Sequence, residues 1–147
     1  MSSESFPLTG RCMCGAVEVA TTGPLLGVVV CHCKRCQRRS ETTRPMTALC
    51  LAGAFSVTAG ADKLRLCASG TQESAGSRRS ASSAAATRTR SAPRTPTLVA
   101  IRLGCLDQDP GIRAQAHQFV AYASPLEPIP DDGLPRLPER LGVTEPL

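Results

Sequence analysis

Val28-Val29-Val30-Cys31-His32-Cys33-Lys34-Arg35-Cys36 is the stretch on which the reading of this chain turns. A short apolar run delivers three thiols, spaced two and three residues apart, into a charged loop. Thiolates at that spacing can converge on one soft cation, and zinc takes four such ligands in a tetrahedron. Three thiolates with a fourth position left open describe a catalytic metal rather than a closed structural one. Cys31, Cys33 and Cys36 are therefore the candidate metal ligands and the candidate catalytic residues. The flanking Lys34 and Arg35 argue against a cluster of ordinary buried thiols.

A second group, Cys12-Met13-Cys14, is half a site, because two ligands cannot close a tetrahedron. Cys67 or Cys105 could substitute for the missing ligands. Each reads more simply as a small buried hydrophobe, as does Cys50. His32 lies between two of the candidate ligands on extended backbone, so alternation turns its side chain away from them. His117 lies beside an apolar strand and reads as structural. Lys34, Arg35, Arg38 and Arg39 form a solvated basic face that can also balance the loop's negative charge or meet the carboxylates of a peptide-like thiol.

The rest of the chain narrows the field. Its 147 residues have room for one domain with a modest core. Aromatic residues number three Phe and one Tyr, with none between Phe55 and Phe119. The N-terminus has neither the basic region nor the apolar core of a signal segment. The longest apolar run, Leu25 to Cys31, is too short for a bilayer, so no membrane partner is expected. Eight cysteines in a chain of this kind read as cytoplasmic thiols or metal ligands rather than disulfides. The net charge of +5 is concentrated in residues 72–97, where five arginines face one glutamate. Without interleaved aromatics or a DNA-binding motif, it does not indicate a nucleic-acid partner.

Strand candidates follow from alternation and β-branched content: residues 15–22, 25–30, 54–58, 63–67, 98–103 and 118–122. Residues 34–39 suit one helical turn behind the metal loop. From Pro125 onward six prolines fall within the last 23 residues, which suits an extended surface tail. The fold class expected is mainly β: a small zinc-stabilised domain over 8–127, with an irregular segment at 71–97 and a Pro-rich tail at 128–147. Residues 71–90 contain no Leu, Val, Ile or aromatic residue, a composition typical of disordered linkers.

Thr9-Gly-Arg-Cys-Met-Cys-Gly-Ala-Val, followed by Cys31-His-Cys-Lys-Arg-Cys-Gln-Arg, resembles the glutathione-dependent formaldehyde-activating enzyme family, which shares its domain with centromere protein V. Leu98-Val-Ala-Ile-Arg-Leu-Gly-Cys-Leu-Asp, His117 and Ile129-Pro-Asp-Asp-Gly-Leu-Pro-Arg-Leu-Pro match the family's later half in order and spacing. The resemblance implies a β-rich, tent-like fold with two zincs. Cys12 and Cys14 would share a structural zinc with a later Cys-x-x-Cys-Gly, and Cys31, Cys33 and Cys36 would hold the catalytic one. It further implies a carbon–sulfur lyase that adds glutathione, its co-substrate, to formaldehyde or a related aldehyde. A non-catalytic zinc interaction module and a metal-free thiol redox protein are the alternatives.

The chain departs from the family pattern in several places. The later Cys-x-x-Cys-Gly is missing, and its expected position falls within 71–97. Glu41 replaces the glycine usual after the triplet, Thr42-Thr-Arg-Pro lacks an aromatic, and no tryptophan stands near Leu126. A GC-rich gene read out of frame yields Ala, Arg, Ser, Thr and Pro, the residues that dominate 71–97. We read this span as a compensated frameshift, with a smaller excursion over 41–46. Translating the coding DNA of 71–97 in the other two frames should then reveal a Cys-x-x-Cys-Gly among aromatic or aliphatic residues. If neither frame encodes one, the segment is a genuine divergent loop.

Overall fold

The computed structural model describes residues 6–67, 78–81, 84–89 and 98–139, with backbone alone for 65–67, 78–81 and 84–89. The fold is mainly β. The small sheet is β1 (Leu8–Arg11), β2 (Glu18–Thr21) and β5 (Phe55–Ala59), in the order β1-β2-β5. The large sheet contains β3 (Gly27–Cys31), β4 (Met46–Leu51), β6 (Arg65–Cys67), β7 (Arg78–Ala81), β8 (Ala84–Thr89), β9 (Leu98–Arg102), β10 (Ala116–Gln118) and β11 (Arg136–Leu137). Its order is β11-β10-β3-β4-β9-β8-β7-β6. The helix α1 (Lys34–Ser40) follows β3 directly. Among the described residues no helix is long and apolar enough to cross a membrane.

Gly27-Val-Val-Val-Cys31 is buried at every position, as a continuous apolar strand between neighbours should be. It pairs antiparallel with β4 and parallel with β10. Val28 packs with Leu8, Leu25, Ala48, Cys50, Val99 and Ile101 in the main core. A smaller core of Cys12, Val17 and Val19 lies under the first sheet and is flanked by Phe55, Val57, Leu64 and Cys105. The small sheet is tied to the segment after β9. Gly10 bridges Leu106, and the Asp107 amide donates to the Thr9 carbonyl at 2.8 Å. At Gly10 a Cβ would stand 2.6 Å from the Cys105 carbonyl oxygen, so only glycine allows this approach.

Several expectations are revised. The strand expected at 118–122 is β10 at 116–118, and residues 120–122 form a 3-10 turn after Phe119 enters the left-handed region. Residues 71–97, expected to be an irregular linker, contain β7 and β8, which pair as a hairpin, with β8 laid along β9. Backbone groups make those ladders whatever the side chains, which is why composition did not show them. The remaining positions of 71–97 lie outside the described residues. The proline-rich end supplies an edge strand, β11, parallel to β10. β1 and β4 had no counterpart among the expected strands.

α1 ends at Glu41, whose φ of 57° is left-handed. That conformation costs a residue with a Cβ about 1 kcal/mol or more, whereas glycine adopts it freely. Glu41 thus occupies a glycine-type helix terminus, at the position where the resembled family usually has glycine. Glu41→Gly should raise stability by about 0.5–1 kcal/mol, measured by urea unfolding. A loss of stability would show that the Glu41 side chain outweighs the backbone cost.

Candidate metal centre

Strand alternation builds the site. Val29 of β3 is in register with Thr47 of β4, which is in register with Arg102 of β9. Residues directly opposed across strands share a face, and Cys31 lies two positions beyond Val29 on that same face. The strand ends there. The Cys31 amide donates to the Pro45 carbonyl at 3.0 Å, and the His32 amide donates to the Gln118 carbonyl at 3.0 Å. The loop is thus anchored to both neighbours before the chain turns.

Cys33 caps α1. Its backbone is extended, and its Sγ accepts from the Cys36 amide at 3.3 Å. Gln37 fastens the turn from within, donating through Nε2 to the carbonyls of His32 at 2.7 Å and Tyr122 at 3.2 Å. The result is that the sulfurs of Cys31, Cys33 and Cys36 all lie within 4.8 Å of one another. Sulfurs sharing a tetrahedral zinc stand about 3.8 Å apart, given Zn–S bonds of about 2.3 Å. The three residues can hold a metal ion, and as an all-sulfur donor set they suit a soft one such as zinc. Cys31 is buried, while Cys33 and Cys36 are half-buried, so the cluster opens toward the helix side.

Sequence reading did not single out Arg102. It is 8% exposed, and its Nη2 donates to Cys36 Sγ at 3.1 Å while Nη1 donates to Thr47 Oγ1. Its Nε is buried without a partner. Hydrogen bonds from Cys31 and Cys33, together with the Arg102 charge, hold the Cys36 thiol far below its ordinary range. Donation to Cys33 and Cys36, then burial, pushes the Cys31 thiol up.

His32 follows the alternation and leaves the cluster. His117 is in register with Val30, on the opposite face from Cys31. There His32 Nε2 and His117 Nδ1 lie 3.0 Å apart, and His117 Nε2 is 3.0 Å from Asp132 Oδ2. Both rings are 1% exposed. Burial, reinforced by His117 and Arg44, pushes His32 below its usual pKa, which keeps it neutral. The hydrogen bond from His117 holds the Asp132 carboxyl down. Nearby, Glu127 receives Arg44 at 2.6 Å and the Thr43 hydroxyl, tying the loop after α1 to the chain beyond β10. The order Asp132, His117, His32 is a polar chain behind the cysteine loop. Neither histidine joins the sulfur cluster.

The first cysteine group stands apart. Cys12 Sγ and Cys14 Sγ are 3.4 Å apart, and the Val17 amide donates to Cys12 Sγ at 3.3 Å. That amide lowers the Cys12 thiol pKa. Among the described residues, no third Cys, His, Asp or Glu joins the pair within reach of one ion. Cys105 packs in the same small core, but burial pushes its thiol up to about 11, so it behaves as a small apolar residue. Cys50 is fully buried in the main core, and burial likewise raises its thiol. The side chain of Cys67 lies outside the described residues.

No curated protein matches the chain. A crystal structure of a Rhodobacter sphaeroides protein, solved as a structural-genomics target, is 22% identical and superposes with a TM-score of 0.49. That alignment spans 71% of this chain and 90% of the other. Residues 7–122, which contain both cysteine groups, the helix and Arg102, match the glutathione-dependent formaldehyde-activating enzyme family, and the chain belongs to that family.

Proposed function

We propose that the protein is a zinc-dependent carbon–sulfur lyase of the S-hydroxymethylglutathione synthase type. It joins glutathione or a similar thiol to formaldehyde or a related aldehyde. The observation that carries this reading is the convergence of Cys31, Cys33 and Cys36 within 4.8 Å inside a family-matched domain. In the reaction a sulfur–carbon bond forms, the carbonyl π bond breaks, and the thiol proton ends on the new hydroxyl oxygen. Zinc held by the three cysteines would supply the positive charge that keeps the incoming sulfur a thiolate at neutral pH.

The chain's own residues have separable tasks in this reading. Cys31, Cys33 and Cys36 are metal ligands and form the catalytic centre. Cys12 and Cys14 are half of a second, structural zinc site that no further donor among the described residues completes. Lys34, Arg35, Arg38 and Arg39 bring positive charge beside the loop, suited to the two carboxylates of glutathione. Gln37 holds the cysteine loop against the 3-10 turn at residues 120–122. A reducing cytoplasmic setting suits a site built from free thiols.

Purified protein should contain about one zinc per chain by elemental analysis, and Cys33→Ser should contain almost none at this site while losing adduct formation. Serine stays protonated at neutral pH and is a poor ligand. Thiol-dependent aldehyde consumption persisting in metal-free Cys33→Ser would place the chemistry elsewhere. Two tightly held zincs would mean that donors beyond the described residues complete the Cys12–Cys14 pair.

His117→Ala separates the polar chain from the metal loop. It leaves His32 Nε2 buried without its partner, so urea unfolding should show a loss of about 1–3 kcal/mol. Metal content should stay at the wild-type level, because His117 donates nothing to the sulfur cluster. Loss of the metal in a folded His117→Ala protein would contradict the division between the two faces.

A further inference from the structure

Among the described residues, Arg102 is a buried cation without a carboxylate partner. Among the described residues its hydrogen-bond partners are Cys36 Sγ and Thr47 Oγ1, one a hydroxyl and the other a sulfur. No ion pair among the described residues includes it. A guanidinium taken out of water needs a counter-charge, and a neutral hydroxyl supplies none. The unpartnered Nε adds to the cost of burial, so the position is poorly explained by hydrogen bonding alone. Among the described residues, the negative charge that faces Arg102 is that of the sulfur cluster, 3.1 Å away at Cys36.

The charge count gives this contact a function. A divalent metal on three thiolates leaves one net negative charge, and a further anionic ligand would be repelled by it. One guanidinium cancels that charge. Resting on the proposed thiol-addition reading, we infer that Arg102 is a positioning residue that acts through Cys36. It holds the loaded cluster near neutrality, so that the site accepts an anionic thiolate. Its place in the fold suits this role. Arg102 ends β9, reaches across Thr47 of β4, and arrives on the face that carries Cys31. Its backbone therefore belongs to the sheet and not to the cysteine loop or α1. Lys34, Arg35, Arg38 and Arg39 belong to the helix and are suited to a thiol's remote carboxylates; Arg102 is suited to the sulfur.

The test uses the full chain loaded with cobalt(II), whose sulfur-to-metal charge-transfer bands report both loading and ligand binding. Wild type, Arg102→Lys and Arg102→Met are titrated with glutathione, with 2-mercaptoethanol (a thiol without carboxylates) and with imidazole, a neutral ligand. Arg102→Met should bind cobalt about 10–100-fold more weakly, the usual effect of removing a group that supports a ligand. Once loaded at saturating cobalt, it should bind both thiols about tenfold more weakly, with imidazole nearly unchanged. Arg102→Lys should recover most of the thiol affinity.

An equal loss for thiols and imidazole would overturn the inference, as a purely structural arginine would produce that pattern. A loss confined to glutathione would also overturn it, because Arg102 would then be reading a carboxylate. Unchanged thiol binding in Arg102→Met would do the same. The functional reading fails separately: a wild-type protein that binds thiols as expected but forms no aldehyde adduct keeps the role of Arg102 and loses the enzyme. A wild-type protein that takes up no cobalt overturns both.

Discussion

Neighbouring residues on a strand face opposite ways, and at the end of β3 this one constraint divides the polar chemistry of the molecule. Cys31 goes to the face that carries Thr47 and Arg102, and His32 goes to the face that carries His117. On the first face the chain gathers three sulfurs and a guanidinium. On the second it gathers two imidazoles and a carboxylate. A slip of one residue in the pairing of β3 would exchange the two sets and bring the wrong donors together. The register is defended by burial: each position of β3 is enclosed, so an alternative pairing would have to move Val28 out of the main core.

The loop between β3 and α1 solves a second problem. Three thiols can converge only if the chain turns sharply after Cys31, and a sharp turn leaves backbone groups unpaired. Here the Cys36 amide is met by Cys33 Sγ, and the His32 carbonyl is met by Gln37. The donors that close the turn are thus residues of the cysteine loop itself or lie one turn beyond it. Its far end is less well served. Glu41 takes the left-handed conformation without a glycine, and Thr43 and Arg44 then pin the chain to Glu127. The strain and the pinning lie within four residues of each other, close behind the cluster.

How much of this could be read in advance follows from the range of each interaction. Cys31, Cys33 and Cys36 were legible because ligands of one loop are neighbours in sequence, and the alternation that turns His32 away is equally local. The buried run of β3, the helix at 34–40 and strands β2, β5, β6 and β9 also carry their own patterns. β4 was not legible: Met46-Thr-Ala-Leu-Cys-Leu alternates poorly, and its place between β3 and β9 comes from pairing with distant segments. Arg102 was hidden for a similar reason. It looks like the polar end of an apolar strand until the sheet places it beside Cys36, 66 positions away in sequence. Asp132 was lost in a proline-rich stretch that looked like a tail, yet β11 holds that stretch against β10.

The two cysteine groups show what local spacing can and cannot decide. Both place their sulfurs close together, within 4.8 Å for the triplet and at 3.4 Å for the pair. The triplet comes with a charge partner on an adjoining strand, whereas the described surroundings of Cys12 are mostly apolar: Val17, Val19, Phe55, Val57 and Leu64. A metal held there by two thiolates would still need two more donors, and those have to arrive from elsewhere in the chain. Cys105 is close enough to pack but is held as a thiol by its burial. The pair therefore depends on a distant segment, while the sulfurs of the triplet all come from one loop, with Arg102 of β9 beside them. That difference in dependence, more than the number of cysteines, is why the site at Cys31, Cys33 and Cys36 carries the functional reading.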